Sequence, residues 1–360
     1  MKPFNILLAI ALFQVNAAIS QNNKAVESAG SLDLKSMIQP LPLSAKFSDD
    51  SFYTWCGTMV KSHVDHQYHL FYSRWPRNLG MASWASHSEI AHAVSKSPFG
   101  PFKFKDVALP PRGEKFWDGM VTHNPTIHYF NGEYYLYYMG NRGDGKVTAP
   151  QLNWTHRNNQ RIGVAVATNP NGPWKRSDVP LIDISPDTTA HDAQVVTNPS
   201  VTKTPDGKYL MVYKAVARKR PQPFGGPVVH LTAISNSPEG PFVKQQKPIF
   251  TAENVDFPAE DPYVWHQDGC FYAIVKDMKG SFTKAGKSLA LFYSIDGLNW
   301  KLAQHPLVAT LVLQWENGFQ QKLEALERPQ LFFENGRPIV LLCAVNENLT
   351  HSYNVQIPLK

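Results

Sequence analysis

The sequence predicts an all-β fold: a five-bladed β-propeller with four-stranded antiparallel blades and a short N-terminal arm. Three observations carry this. First, a short phrase recurs along the 360-residue chain as His123-Asn124-Pro125, Thr197-Asn198-Pro199, Glu260-Asp261-Pro262 and Glu327-Arg328-Pro329, with a degenerate first copy at Trp55-Cys56-Gly57. The steps between copies are 68, 74, 63 and 67 residues, and a repeat of this length built from short strands reads as one propeller blade. Second, each copy opens an apolar run that is followed by a turn and an aromatic-rich run: Gln67 to Ser73, Glu133 to Met139, Lys208 to Lys214, Cys270 to Lys276 and Arg337 to Cys343. Third, a Pro-Gly phrase recurs at 97–102, 169–174 and 237–242, with a looser copy at 295–300.

Taken in order, residues 1–20 read as a secretory signal rather than fold. Lys2 is a positive start, Ile6 to Phe13 an apolar run, and Ala17, Ala18 and Ser20 supply small residues for cleavage. The run is too short to span a bilayer. Residues 21–45 form an arm with a short helix around Ser31 to Ile38, and residues 46–360 form the propeller domain. Within each blade the repeated phrase starts the innermost strand and the aromatic run is the second strand. The third strands are Ile90 to Val94, Arg161 to Ala167, Val228 to Ser235 and Ser288 to Ser294. The Pro-Gly phrase then fixes a tight turn, and its aromatic residue restarts an outer strand. The last blade is short at Tyr353 to Leu359, so an N-terminal strand is expected to complete it and close the ring.

Composition excludes several classes. At 43% hydrophobic and 18% charged, the protein has ample material for a core. Cys56, Cys270 and Cys343 are too few for a disulfide scaffold and read as buried small hydrophobes. The formal net charge of +6 comes without a Lys/Arg block or basic helix, so no nucleic-acid or membrane partner is expected. A modest positive field fits an anionic substrate, and solubility alone would account for it equally. No cofactor motif is present and no cofactor is expected. His63, His66 and His69 have metal-like spacing but flank a turn.

In an antiparallel meander the start of strand one and the end of strand two share a face. One rim of the channel therefore collects Trp55, His123, Asn124, Asn198, Glu260, Asp261, Glu327 and Arg328 with Arg74, Lys214 and Lys276. Asp118, in Trp117-Asp118-Gly119, and Asp192 lie in loops that enter strand one and can overhang the channel, although an Asp in such a loop often bonds its own backbone. Paired carboxylates across a pocket are what glycoside hydrolysis needs, one to protonate the leaving oxygen and one to activate water or attack carbon.

The repeated phrases, the five-blade period and the rim acids resemble the five-bladed propeller glycoside hydrolases of families 43 and 117. Glu260-Asp261-Pro262 resembles the acidic strand start of those enzymes, and Glu327 resembles their later catalytic or orienting Glu. Family 43 implies a catalytic Asp in the first blade, where this chain has Trp55-Cys56-Gly57, so the base role is assigned to Asp118 or Asp261. Glu327, Glu260 or His123 supplies the acid. Trp55 and Trp117 stack on a sugar, while Arg74, Lys214, Lys276 and Arg328 hold a carboxylate or sulfate. The expected function is a secreted or periplasmic exo-acting glycoside hydrolase. Its expected partner is an oligosaccharide from an anionic plant or algal polysaccharide, carrying uronate or sulfate. The alternatives are a uronate-specific lyase or dehydratase acting by β-elimination, with His or Lys as base, and a non-catalytic carbohydrate-binding propeller.

Overall fold

The structure is a computed structural model that describes residues 30–348 and 350–360. The expected signal segment and the first part of the arm lie outside the described residues. The helix expected in the arm covers Leu34–Met37, with the Asp33 carboxylate capping Ser36 N.

The chain then runs through β1 (Lys46–Phe47) and five four-stranded antiparallel sheets. Blade 1 is β2 (Phe52–Lys61), β3 (Tyr68–Pro76), β4 (Glu89–Ser95) and β5 (Lys103–Leu109). Blade 2 is β6 (Val121–Phe130), β7 (Glu133–Asn141), β8 (Arg161–Ala167) and β9 (Lys175–Arg176). Blade 3 is β10 (Val195–Lys203), β11 (Tyr209–Val216), β12 (Val228–Ser235) and β13 (Val243–Lys244). Blade 4 is β14 (Ala259–Gln267), β15 (Cys270–Asp277), β16 (Ser288–Ser294) and β17 (Lys301–Ala309). A two-stranded ribbon, β18 (Val312–Gln314) and β19 (Gln320–Lys322), precedes blade 5. Blade 5 is β20 (Ala325–Glu334), β21 (Arg337–Asn348) and β22 (His351–Pro358), and its fourth strand is β1. Lys46 pairs with Val355 and Phe47 with Asn354. The strand from the N-terminal side thus closes the ring as expected and leaves the first and last blades joined by main-chain bonds.

The cores lie between neighbouring blades, where aromatic residues of the second strands interdigitate. One such cluster joins Tyr135, Tyr137, Tyr209, Met211 and Tyr213 from blades 2 and 3. The outer-strand aromatics Phe102 and Phe242 are buried after the Pro-Gly turns, as the phrase predicts. All three cysteines are buried and unbonded to one another.

The repeated phrase has one physical cause. Its second residue is in the left-handed conformation in every blade: Cys56 at φ 57°, Asn124 at 53°, Asn198 at 52°, Asp261 at 55° and Arg328 at 53°. The ladder slips at the same place each time, between Trp55 and Thr58, His123 and Thr126, Thr197 and Ser200, Glu260 and Tyr263, and Glu327 and Gln330. This is a β-bulge in each innermost strand. Asn and Asp tolerate that conformation best, and the Pro that follows in four blades has no N–H to waste where the ladder is broken.

Candidate active site

The five bulges turn five side chains toward one another across the channel. Cys56 Sγ donates to Asn124 Oδ1 at 2.8 Å, Asn124 Nδ2 donates to Asn198 Oδ1, and Asn198 Nδ2 donates to Asp261 Oδ1 at 2.7 Å. Arg328 donates from its main-chain N to Asp261 Oδ2 at 3.2 Å and from Nη1 to Oδ1 at 3.5 Å. Burial pushes the Cys56 thiol well up, so it stays protonated and serves as a donor. These residues form a floor across the propeller axis.

In four blades the residue before the bulge rises from that floor, while in blade 3 Thr197 Oγ1 donates to Asn198 Oδ1 at 2.9 Å. Trp55, His123, Glu260 and Glu327 line a cavity of about 440 Å³ above it, together with Trp75, Trp84, Lys214 and Lys276. Lys214 Nζ donates to Glu260 Oε1 at 2.5 Å, and Lys276 Nζ donates to Glu260 Oε2 at 3.4 Å and to Glu327 Oε1. One ammonium therefore stands between two carboxylates, whose nearest oxygens are roughly 6 Å apart at most, two hydrogen-bond lengths.

The two acids differ in charge state. Burial pushes Glu260 up, but Lys214 and Lys276 outweigh it and hold the carboxyl at about 2. Glu327 has only Lys276 against its burial and against the charges of Asp261 and Glu260, and it is raised above the ordinary value. Burial and Glu260 likewise raise Asp261 against the pull of Arg328. Burial lowers the Lys276 ammonium, but Glu260 and Glu327 outweigh it and keep it charged. Environments that push paired acids apart are the pattern of an acid and its anionic partner. His123 accepts or donates at Nδ1 with Ser88 Oγ, 2.7 Å away, and stacks on Trp84 at 5.1 Å. Burial, with Arg328 and Lys214 nearby, holds it well below the usual imidazole range. It is therefore a neutral ring rather than the imidazolium that an acid role would use.

The structure separates four expected residues from this cavity. Asp118 is fully buried at the edge of blade 2, where Arg112 Nε (2.7 Å), Tyr138 Oη (2.6 Å) and Arg176 Nη1 (3.4 Å) all donate to it. Asp192 holds the same place in blade 3, bonded by Lys244 Nζ at 2.6 Å. Arg176 and Lys244 are register equivalents, opposite Ala165 and Ala233. Both Asp residues tie a strand-one entry loop to an outer strand, so Asp118 is a structural anion and not the base. Trp117 stacks on Tyr138 at 5.7 Å and donates to Ser177 O, facing a separate groove. Arg74 bonds Glu89 at 2.9 Å and lies between the Phe52 and Phe104 rings.

The Arg74 misplacement is one residue of register. Lys214 and Lys276 pair with Thr197 and Glu260, and the blade 1 equivalent, paired with Trp55, is Ser73. One step along a strand reverses the side chain, so Trp75, two steps from Ser73, reaches the cavity instead. Trp84 comes from a short helix, Trp84–His87, in the loop after β3. Its only sequence signal was an aromatic in a loop on the correct face. His63, His66 and His69 do not converge: His69 is bonded to Asp65 and His92, and His63 packs at a tilt against Tyr129. Among the described residues no group of three or more His, Cys, Asp and Glu is placed to hold a metal ion.

The sequence profile of the glycosyl hydrolases family 32 N-terminal domain matches residues 124–318, more than half of the chain. The chain belongs to that family. It is a glycoside hydrolase of the propeller class. Among solved structures it is similar to Zg3597, a family 117 glycoside hydrolase from the marine bacterium Zobellia galactanivorans, at 17% identity and TM-score 0.58 over 90% of this chain and 89% of that one. It is also similar to an α-L-arabinofuranosidase from Lactobacillus brevis, at 14% identity and TM-score 0.56 over 91% and 94%. A third is CoXyl43, a β-xylosidase/α-arabinofuranosidase from a compost microbial metagenome, at 16% and 0.56 over 90% and 94%. At these identities the likeness is one of fold, the five-bladed propeller. No curated protein matches the sequence.

Proposed function

We propose that this glycoside hydrolase is an exported, exo-acting enzyme that removes terminal sugars from anionic oligosaccharides. The observation that carries the reading is the blind cavity: a hydrogen-bonded floor closes it below, and Glu260 and Glu327 flank Lys276 in its wall. A closed floor favours a chain end over a chain passing through. An anionic sugar is supported by Arg328, which is 2% exposed and whose Nε and Nη2 have no hydrogen-bond partner. Buried guanidinium donors left unpaired cost free energy that a substrate carboxylate or sulfate would recover.

In this reading Glu327, the raised acid, gives its proton to the leaving oxygen as the glycosidic bond breaks. The close spacing of the two carboxyls leaves little room for a water and favours direct attack by Glu260 on the anomeric carbon. Glu327, now a carboxylate, then takes a proton from the water that cleaves the glycosyl ester and releases Glu260. Trp84, the half-buried tryptophan of the cavity wall, provides a face for the sugar ring, with Trp55 beside it. Export rests on the segment from Lys2 to Ser20.

Incubating the mature protein with neutral, uronate-containing and sulfated oligosaccharides, read by mass spectrometry, tests this. The expected result is a terminal sugar released with one water gained, from anionic substrates only. Cleavage without water gained would mean β-elimination with His123 or a lysine as base. Internal fragments would overturn the exo assignment.

A further inference from the structure

A second chamber of about 140 Å³ opens beside the cavity and shares Trp84, Gln160, Lys214 and Glu260 with it. Its walls come from elsewhere. Val195, Val216 and Val228 stand opposite one another across β10, β11 and β12, in register, and are 1%, 1% and 2% exposed. With Phe257 packed on them they form a small apolar cluster separate from the blade cores. The roof is Phe224, in the loop leaving β11, held by the loop leaving β7. There Arg157 Nη1 donates to Phe224 O at 2.8 Å and Asn158 Nδ2 donates to Pro223 O at 3.0 Å.

A glycoside hydrolase needs polar groups around a hydroxylated ring, so an apolar row one ion pair away from the proposed nucleophile has no use for the ring itself. Arg157 uses Nη1 for Phe224 O and Asn158 Oδ1, and its guanidinium lies over the Phe224 ring, so it braces the roof. Gln160, Thr197, Lys214 and Glu260 line the side toward the main cavity and Phe224 is 44% exposed, so it is the valine row with Phe257 that offers a wall to a small apolar guest such as xenon.

We propose that this chamber is a specificity subsite for a methyl-terminated substituent on the bound sugar: an O-acetyl group, an O-methyl group or the methyl of a 6-deoxy sugar. The subsite selects substrate and takes no part in bond breaking. It rests on the hydrolase reading only for its effect on rate, and its apolar character can be read without any substrate.

The test has two arms. In crystals of the full-length mature protein under xenon, a xenon peak is expected in the chamber of the wild type and not in Val228→Phe, which fills it. A chamber filled with ordered water and without xenon overturns the proposal whether or not the enzyme is active. In the kinetic arm, kcat/KM is compared for matched oligosaccharides with and without each of the three methyl groups. A missing apolar group in such a pocket costs roughly 10-fold or more, so one of the three pairs is expected to show that preference. Val228→Phe, and separately the roof variant Phe224→Ala, should collapse the ratio. Equal rates within every pair, or an unchanged ratio in both variants, would overturn the subsite. Xenon binding with no hydrolysis of any substrate would instead count against the hydrolase reading and leave the apolar chamber standing.

Discussion

Replacing Lys276 with Met tests the electrostatic design of the site. The side chain keeps its length and loses the one charge that both carboxylates share. In the wild type Glu260 is held at about 2 although burial opposes this. Against an ordinary value of 4.5 that is worth roughly 3 kcal/mol at neutral pH. Glu260 is depressed in the folded state, so this stability is present above its unfolded value and is lost as pH falls toward 2. Lys214 remains in the variant with the shorter of the two contacts to Glu260, so part of the depression survives. The acid limb of kcat/KM, set by Glu260, should move up by about one pH unit or more. Glu327 loses its only cation and should rise further, carrying the alkaline limb up with it. Stability should fall by about 3–5 kcal/mol at pH 8, where a buried charge is left uncompensated, and by less at pH 5, where a carboxyl can take a proton. Urea denaturation at the two pH values and a pH–rate profile measure this. An unmoved acid limb together with equal losses at both pH values would refute the argument.

Other variants separate scaffold from chemistry. Asp118→Asn removes a buried anion paired with Arg112 and Arg176. It should lower stability by about 2–4 kcal/mol in urea denaturation while leaving kcat/KM unchanged. Asn198→Ala breaks two links of the floor and puts a residue that disfavours the left-handed region at φ 52°. A loss of about 2 kcal/mol is expected, and Asn198→Gly should recover the conformational share. Trp84→Ala removes a cavity wall that also stacks on His123, and KM should rise roughly 10-fold with a smaller change in kcat.

Much of the architecture was legible because one local constraint repeats. A left-handed residue in each innermost strand selects Asn or Asp and tolerates a following Pro, so the phrase, the blade period and the channel residues are visible together. Cys56 and Arg328 occupy the same conformation without belonging to the favoured types. Position within the repeat, not residue chemistry, placed them. The cavity walls were less legible. Choosing between Arg74 and Trp75 needed the register of β2 against β3, which a bulge shifts. Asp118 and Asp192 looked like overhanging acids because Arg176 and Lys244, which tie them to outer strands, lie 58 and 52 residues further along the chain, and nothing marked Arg112, six residues before Asp118, as its partner. Trp84 and the chamber roof at Phe224 sit on loops whose course depends on contacts between neighbouring blades, and no period marks them.

The central claim is that Glu327 protonates the leaving group while Glu260 stays ionised. Glu327→Gln, assayed on two substrates of the same sugar, tests it most directly. One substrate carries a natural sugar leaving group and the other a dinitrophenolate, which departs without a proton. The account predicts a loss of roughly 100-fold or more in the bond-breaking rate for the sugar leaving group, and a far smaller loss for the dinitrophenyl glycoside. Equal losses on both substrates, or none on either, would contradict it.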